Sequence, residues 1–251
     1  VVLETEVKRP LDPVAIAAKN LSIVNKQLAV EDAPMPLTGI DNFLDHMLQW
    51  AQSKYGNDEF VMAKEEFFWK MGKVFPEDAF YEQRMTYFLD YFLLQRPLSK
   101  HDDSGVKSTL ESYLNDPDQI LSDESFSGFY HSVFLVQKNN LDTIVVKDLC
   151  TQDQITVTAR QNESFKAIQR KEIFQGFLYR AEDKVYLSRG VIFHPSKCGR
   201  ILRKNLKKKV ASLDFDRLKE VCALARLQLK YLRHKNIDAK RIYSENDGLR
   251  F

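Results

Sequence analysis

Residues 130–158 read YHSVFLVQKNNLDTIVVKDLCTQDQITVT, and along this stretch the hydrophobic period changes from helical to extended. The segments 130–136, 142–146 and 154–158 alternate or cluster their apolar residues as strands do. Asn139-Asn140 and Gln152-Asp153 supply turn residues between them. Glu182-Asp183 separates two further strand candidates, 173–180 and 185–193. Five short strands with tight connections predict a small antiparallel barrel or a strongly curved sheet.

Upstream of the strands, residues 38–95 predict three helices. Ile40, Phe43, Leu44, Met47, Leu48 and Ala51 recur at helical spacing over 40–55, and Gly56 follows as a stop. Asn57 caps a second helix carrying Phe60, Val61, Ala63, Phe67, Phe68 and Met71. Pro76 opens a third, whose apolar face is Phe80, Met85, Phe88, Leu89, Phe92 and Leu93, and Pro97 ends it. A short helix follows over 108–114. The aromatic residues between 60 and 92 exceed one apolar stripe, so some are expected to cover the β-rich part. Residues 1–36 read as a leader with one helical candidate, 14–30. They show no basic stretch followed by an apolar core, so no secretory signal is expected.

Downstream, Ser196 caps a helix over 197–210, and Asp214 or Asp216 starts another that runs to about 235. In the first, Arg200, Arg203, Lys204, Lys207 and Lys208 recur every three or four residues and share one face. In the second, Lys219, Arg226, Lys230 and Arg233 form a looser basic stripe beside an apolar one. Charge is also divided along the chain. Residues 160–251 hold 23 Lys/Arg against 10 Asp/Glu, while residues 1–159 hold 14 against 25, so the net charge of +2 conceals a basic back half. Such asymmetry predicts either an anionic partner or attraction between the halves. A basic face can neutralise phosphates; a solvated face, or one docked on the acidic helices, is the simpler alternative.

Other chemistry is sparse. No run approaches the roughly 18 apolar residues of a spanning helix. Cys150, Cys198 and Cys222 are an odd, widely spaced set, which predicts free thiols and a reducing, cytoplasmic setting. His194 and Cys198 straddle a strand-to-helix junction, where a helix N-terminus would lower the thiol pKa. Zinc needs three or four ligands, and no third is placed by spacing. His101, Asp102 and Asp103, and Asp41, Asp45 and His46, read as solvated surface. Glycine-rich phosphate loops and the common hydrolase motifs are missing. No metal, cofactor or catalytic residue is therefore expected.

The motifs Phe88-Leu89-Asp90-Tyr91-Phe92, Thr109-Leu110-Glu111-Ser112-Tyr113-Leu114 and Val145-Val146-Lys147-Asp148-Leu149, within residues 88–205, resemble those of a poorly characterised group of bacterial proteins that often carry a C-terminal SEC-C zinc motif. Phe88-Leu89-Asp90-Tyr91-Phe92 stands where that group has an aromatic helix end, and Thr109-Leu110-Glu111-Ser112-Tyr113-Leu114 is similar to its short helix. Val145-Val146-Lys147-Asp148-Leu149 with Thr151 resembles its strand and turn, with Gln152 in place of a glycine. The zinc motif itself is absent, so no metal ligands carry over. The resemblance implies helices followed by a small β unit, and no activity.

The sequence thus predicts an α+β protein: leader 1–36, helical domain 37–126, antiparallel β domain 127–195 and basic helical region 196–251. The expected function is non-enzymatic binding, as an adaptor whose basic C-terminal face engages nucleic acid or an acidic protein. The alternative is an enzyme or ligand-binding protein with an aromatic pocket between helices and β unit, involving His194 and Cys198.

Overall fold

The structure, a computed structural model, describes residues 39–99, 107–117, 126–181, 183–234 and 236–244. The helical candidate at 14–30 and the cluster His101, Asp102 and Asp103 lie outside these residues. The chain is α+β. Helix α1 (Gly39–Met71) is followed by α2 (Tyr81–Asp90), one π-helical turn at Tyr91–Gln95, and α3 (Thr109–Leu114). Six strands follow: β1 (Phe126–Asn139), β2 (Thr143–Asp148), β3 (Gln154–Thr158), β4 (Ile173–Ala181), β5 (Lys184–Leu187) and β6 (Ile192–Phe193). A 3₁₀ turn at Ser196–Cys198 leads into α4 (Gly199–Val210), α5 (Arg217–Arg233) and α6 (Ala239–Ser244).

Gly56 does divide the first helical stretch. Its backbone is at φ 72°, ψ −173°, inside what is otherwise one run of helix. That region is open essentially to glycine alone. A methyl group built there meets no atom within 4 Å, so the constraint is conformational. Gly56→Ala is expected to cost about 1–3 kcal/mol of stability. A urea midpoint unchanged in that variant would show that the break is not required by the fold.

The third helix begins later than Pro76 predicts. Residues 76–80 form turns, and α2 starts at Tyr81. Asp78 is the reason: its carboxylate accepts the Phe75 N–H at 2.9 Å and holds Arg233 at 3.0 Å, which fixes a turn where a first helical turn was expected. The short helix α3 forms where predicted. Ser108 Oγ accepts the Glu111 N–H at 3.2 Å and Glu111 returns a carboxylate to the Ser108 N–H at 2.8 Å, a reciprocal cap.

Five strands close into a barrel in the order β1-β2-β3-β5-β4, with β4 pairing back to β1. The closure differs from the expected all-antiparallel arrangement at one seam. β3 and β5 run parallel, meeting at Thr158 and Tyr186. The predicted strand 185–193 is two strands, because the chain turns inward between them. Ser188 N–H bonds Phe177 O at 3.0 Å. Gly190 lies flat on α2, where a Cβ would stand 2.5 Å from Tyr87 N. β6 then pairs with the start of β4.

Phe134, Val136, Ile144, Val146, Ile155, Val157, Phe174 and Leu178 fill the barrel, with Phe165 buried among them. The outer faces of β1 and β4 are covered too. Val133, Ile173, Phe177 and Tyr179 belong to the core of the helices, which explains why β4 is buried almost continuously and does not alternate. Aromatic residues make this junction as expected: Tyr87 meets Phe177 edge-on at 5.8 Å, and Phe43 stacks on Phe126 at 4.7 Å. Arg84, 1% exposed, ties the helices together. It donates to Met71 O at the end of α1 and to Ala225 O and Gln228 Oε1 on α5. No helix among the described residues is long and apolar enough to cross a membrane.

Candidate anion-binding face

Helix α4 has the alternating chemistry its sequence predicts. Leu202 and Leu206 are buried, while Arg200, Arg203, Lys204, Lys207 and Lys208 are all exposed. None of these five forms an ion pair with a described residue. The stripe is therefore neither docked on the acidic helices nor internally neutralised. At 1.5 Å per residue it rises about 12 Å from Arg200 to Lys208.

The looser stripe of α5 divides. Lys219 is exposed, and its side chain has no partner among the described residues. Arg226 and Arg233 turn back on the end of α1. Arg226 donates to Trp69 O and lies 6.0 Å from the Trp69 ring centre. Arg233 donates to Lys73 O at 2.7 Å and to Asp78 at 3.0 Å. Lys230 is half-buried and engaged. Arg226 and Arg233 hold α5 on residues 69–78, and a second attraction between the halves pairs Asp41 with Arg160 at 3.4 Å and with Arg189 at 3.6 Å.

What the structure adds is the surface beside Arg203. An open concavity of about 760 Å³ lies between α4 and one end of the barrel. Leu135, Val136, Gln137, Lys138, Asn139 and Asn140 line it from β1 and its hairpin, Arg170 and Lys171 from the long β3–β4 connection, and Arg203 from α4. Its lining contains four cations and no carboxylate. A bulge in β1 between Val136 and Lys138 shifts the pairing with β2 and re-aims the residues beyond it. Lys171 sits at φ 75°, with its N–H bonded to Val136 O at 2.9 Å, so the connection folds back along β1. The nearby carboxylate of Glu172 is occupied by the Gln169 N–H at 2.8 Å. Lys138, Arg170 and Lys171 carried no periodic signal in sequence. Their only trace was the basic pair 170–171 beside a predicted strand.

Of the other sequence candidates, His194 and Cys198 are buried, and so is Asp41, which was expected at the solvated surface, while His46 is exposed. His194 Nδ1 pairs with the Tyr243 hydroxyl at 2.8 Å, and burial pulls its pKa down to about 3. Cys198 is 0% exposed, and burial pushes its thiol up to about 11, opposite to the lowering expected at a helix N-terminus. The helix dipole loses here to desolvation. All three cysteines are free and buried. No group of three His, Cys, Asp or Glu among the described residues is placed to hold a metal. At the junction between helices and barrel lies a cavity of about 40 Å³ with Asp41, Asp45, Asp90, Arg160 and Arg189 in its lining, too small for the aromatic ligand pocket considered from sequence.

Comparison of the chain with protein-family models, with curated proteins and with solved structures finds no match. The resemblance of residues 88–205 rests on its quoted motifs alone.

Proposed function

We propose that this protein is a non-enzymatic nucleic-acid-binding protein that grips the phosphate backbone with the concavity between α4 and the barrel. The observation that carries the reading is a lining with four cations that have no carboxylate partner among the described residues, and with no carboxylate of its own, continuous with the exposed stripe of α4. Phosphate contacts require cations and amides and no apolar anchor. A protein partner would need a desolvated apolar centre. The exposed large apolar residues, such as Trp69, Phe75 and Leu213, lie outside this lining. The lining also has no aromatic ring on which single-stranded bases would stack. Duplex backbone is the favoured target, bound without reading sequence.

Topology agrees without carrying weight. The order β1-β2-β3-β5-β4 is that of the five-stranded OB-fold barrels, many of which bind oligonucleotides. A reducing, cytoplasmic location belongs with this reading, supported by the three free thiols.

The test is a titration of labelled duplex, single-stranded DNA and RNA at several salt concentrations. If the four cations of the concavity each meet one phosphate, the log–log slope is about −3.6, or roughly 150-fold weaker binding from 50 to 200 mM salt. The combined Lys138→Ala, Arg170→Ala and Arg203→Ala variant is expected to flatten that slope to about −0.9. Absence of duplex binding at 50 mM salt would end the nucleic-acid reading. Equal binding of an acidic polypeptide would move it to a protein partner.

A further inference from the structure

A second concave surface lies on the opposite side of α4. With 3.6 residues per turn, Leu202, Asn205, Leu206 and Lys209 face away from the Arg200–Lys208 stripe. They line a half-open groove of about 470 Å³ between α4, α5 and the end of α1. Its floor is aliphatic, made by Leu202, Leu206, Leu218, Leu224, Leu227 and Cys222. Its volume and apolar character are those of small-ligand sites. Trp69 stands at the mouth with 75% of its surface exposed, an unusual cost for the largest apolar side chain.

The rim has four cations, Lys70, Lys209, Lys219 and Arg226, and two carboxylates, Asp216 and Glu220. Most of this charge is already paired. Lys70 is held by Glu66 at 2.5 Å and Lys209 by Glu220 at 2.5 Å. Asp216 caps α5 by accepting the Lys219 N–H at 3.1 Å. Lys219 and Arg226 are left with no carboxylate among the described residues. An aliphatic trough with a locally unbalanced cationic rim matches an apolar chain that ends in one negative group.

We infer that this groove binds a monomeric single-chain amphiphile, an unbranched acyl chain ending in a carboxylate. The chain lies along the leucines, and the carboxylate meets Lys219 and Arg226 beside Trp69. The inference is independent of the nucleic-acid reading, since the two surfaces lie on opposite sides of α4.

The experiment is calorimetric titration of the full chain with octanoate, decanoate and dodecanoate, each below its micellar concentration, with Trp69 emission followed in parallel. Affinity is expected to rise about fourfold per added methylene until the groove is filled. Decanol is expected to bind at least tenfold more weakly than decanoate. Lys219→Glu, on an exposed side chain, is expected to weaken decanoate about tenfold while leaving thermal unfolding unchanged. Ala223→Phe, which fills the groove, is expected to abolish binding. The Lys138, Arg170 and Arg203 variant is expected to bind decanoate as the parent does. Affinity independent of chain length, equal binding of decanol, or indifference to Lys219→Glu would each overturn the assignment. So would binding to anionic phospholipid vesicles, or to an acidic amphipathic peptide, with none to monomeric acid.

Discussion

Arg96→Met is expected to lower the unfolding free energy by about 3–5 kcal/mol at neutral pH. Arg96 follows the π-helical turn, and its side chain is 5% exposed. Its Nη1 donates to Glu59 Oε1, and its Nε donates to Glu66 Oε2 at 2.7 Å. Glu59, 1% exposed, also accepts the Ser99 N–H at 3.0 Å and the Ser99 hydroxyl. Burial alone would raise the Glu59 pKa; the Ser99 hydrogen bonds and Arg96 outweigh it and hold the carboxyl below its ordinary value. A lowered acid contributes stability above its unfolded pKa and loses it as pH falls through the folded one. Without Arg96 the buried carboxylate has no counter-charge. The penalty should therefore be greatest near pH 7 and shrink toward pH 4, where protonation of Glu59 relieves it. Urea unfolding across that range is the measurement. The double variant Glu59→Gln, Arg96→Met should be far less than additive. A penalty below about 1 kcal/mol, or one flat with pH, would mean that the pair is solvated.

Asp90 is expected to make the protein less stable as pH rises, against the usual direction for a carboxylate. It ends α2, is 3% exposed, and accepts the Tyr179 hydroxyl at 2.5 Å and the Ser188 hydroxyl. Burial is the largest influence and drives its pKa up. The two hydroxyls and Arg160 oppose it, Asp41 adds to it, and the result is about 7. The folded state then holds a proton that the unfolded chain releases near pH 4. Stability from this group is complete below about pH 4 and is lost as pH rises toward 7. Its upper bound is about 4 kcal/mol, from roughly three units at 1.4 kcal/mol each. Asp90→Asn keeps the shape and removes the titration. Subtracting its unfolding free energy from that of the parent cancels the other carboxylates, and the difference should fall between pH 4 and 7 and level off above. A constant difference would show that Asp90 does not change charge within that range.

Much of the local architecture was legible because it repeats within a few residues. Ile155 and Val157 alternate with Gln154 and Thr156, and the barrel buries the first pair and exposes the second. The five α4 cations recur on one face and stand exposed as a stripe. Gly56 marks a break where one was expected, and a short helix forms within 108–114 as expected. The misplacements share a cause. Pro76 does not open a helix because Asp78 is taken by Arg233, 155 residues away in sequence. The strand expected over 185–193 breaks because Gly190 must fit against the backbone of α2. Arg226 and Arg233 looked like surface charge and serve as clamps.

By itself the sequence determined that this chain is α+β, with helices, then strands, then basic helices. It also set which faces are apolar and where its positive charge accumulates. Those properties follow from periodicity, turn chemistry and composition, which act over one or two turns of chain. Only the tertiary structure decided that the barrel closes through β1 and β4 with β3 and β5 parallel, because strand order depends on which faces the helices cover. It alone brought Lys138, Arg170 and Lys171 to Arg203 and left the groove across α4 open. It also placed Glu59, Arg84 and Asp90 inside the core. A charge looks alike in sequence whether water or a distant partner solvates it. Closure of the fold selects between the two.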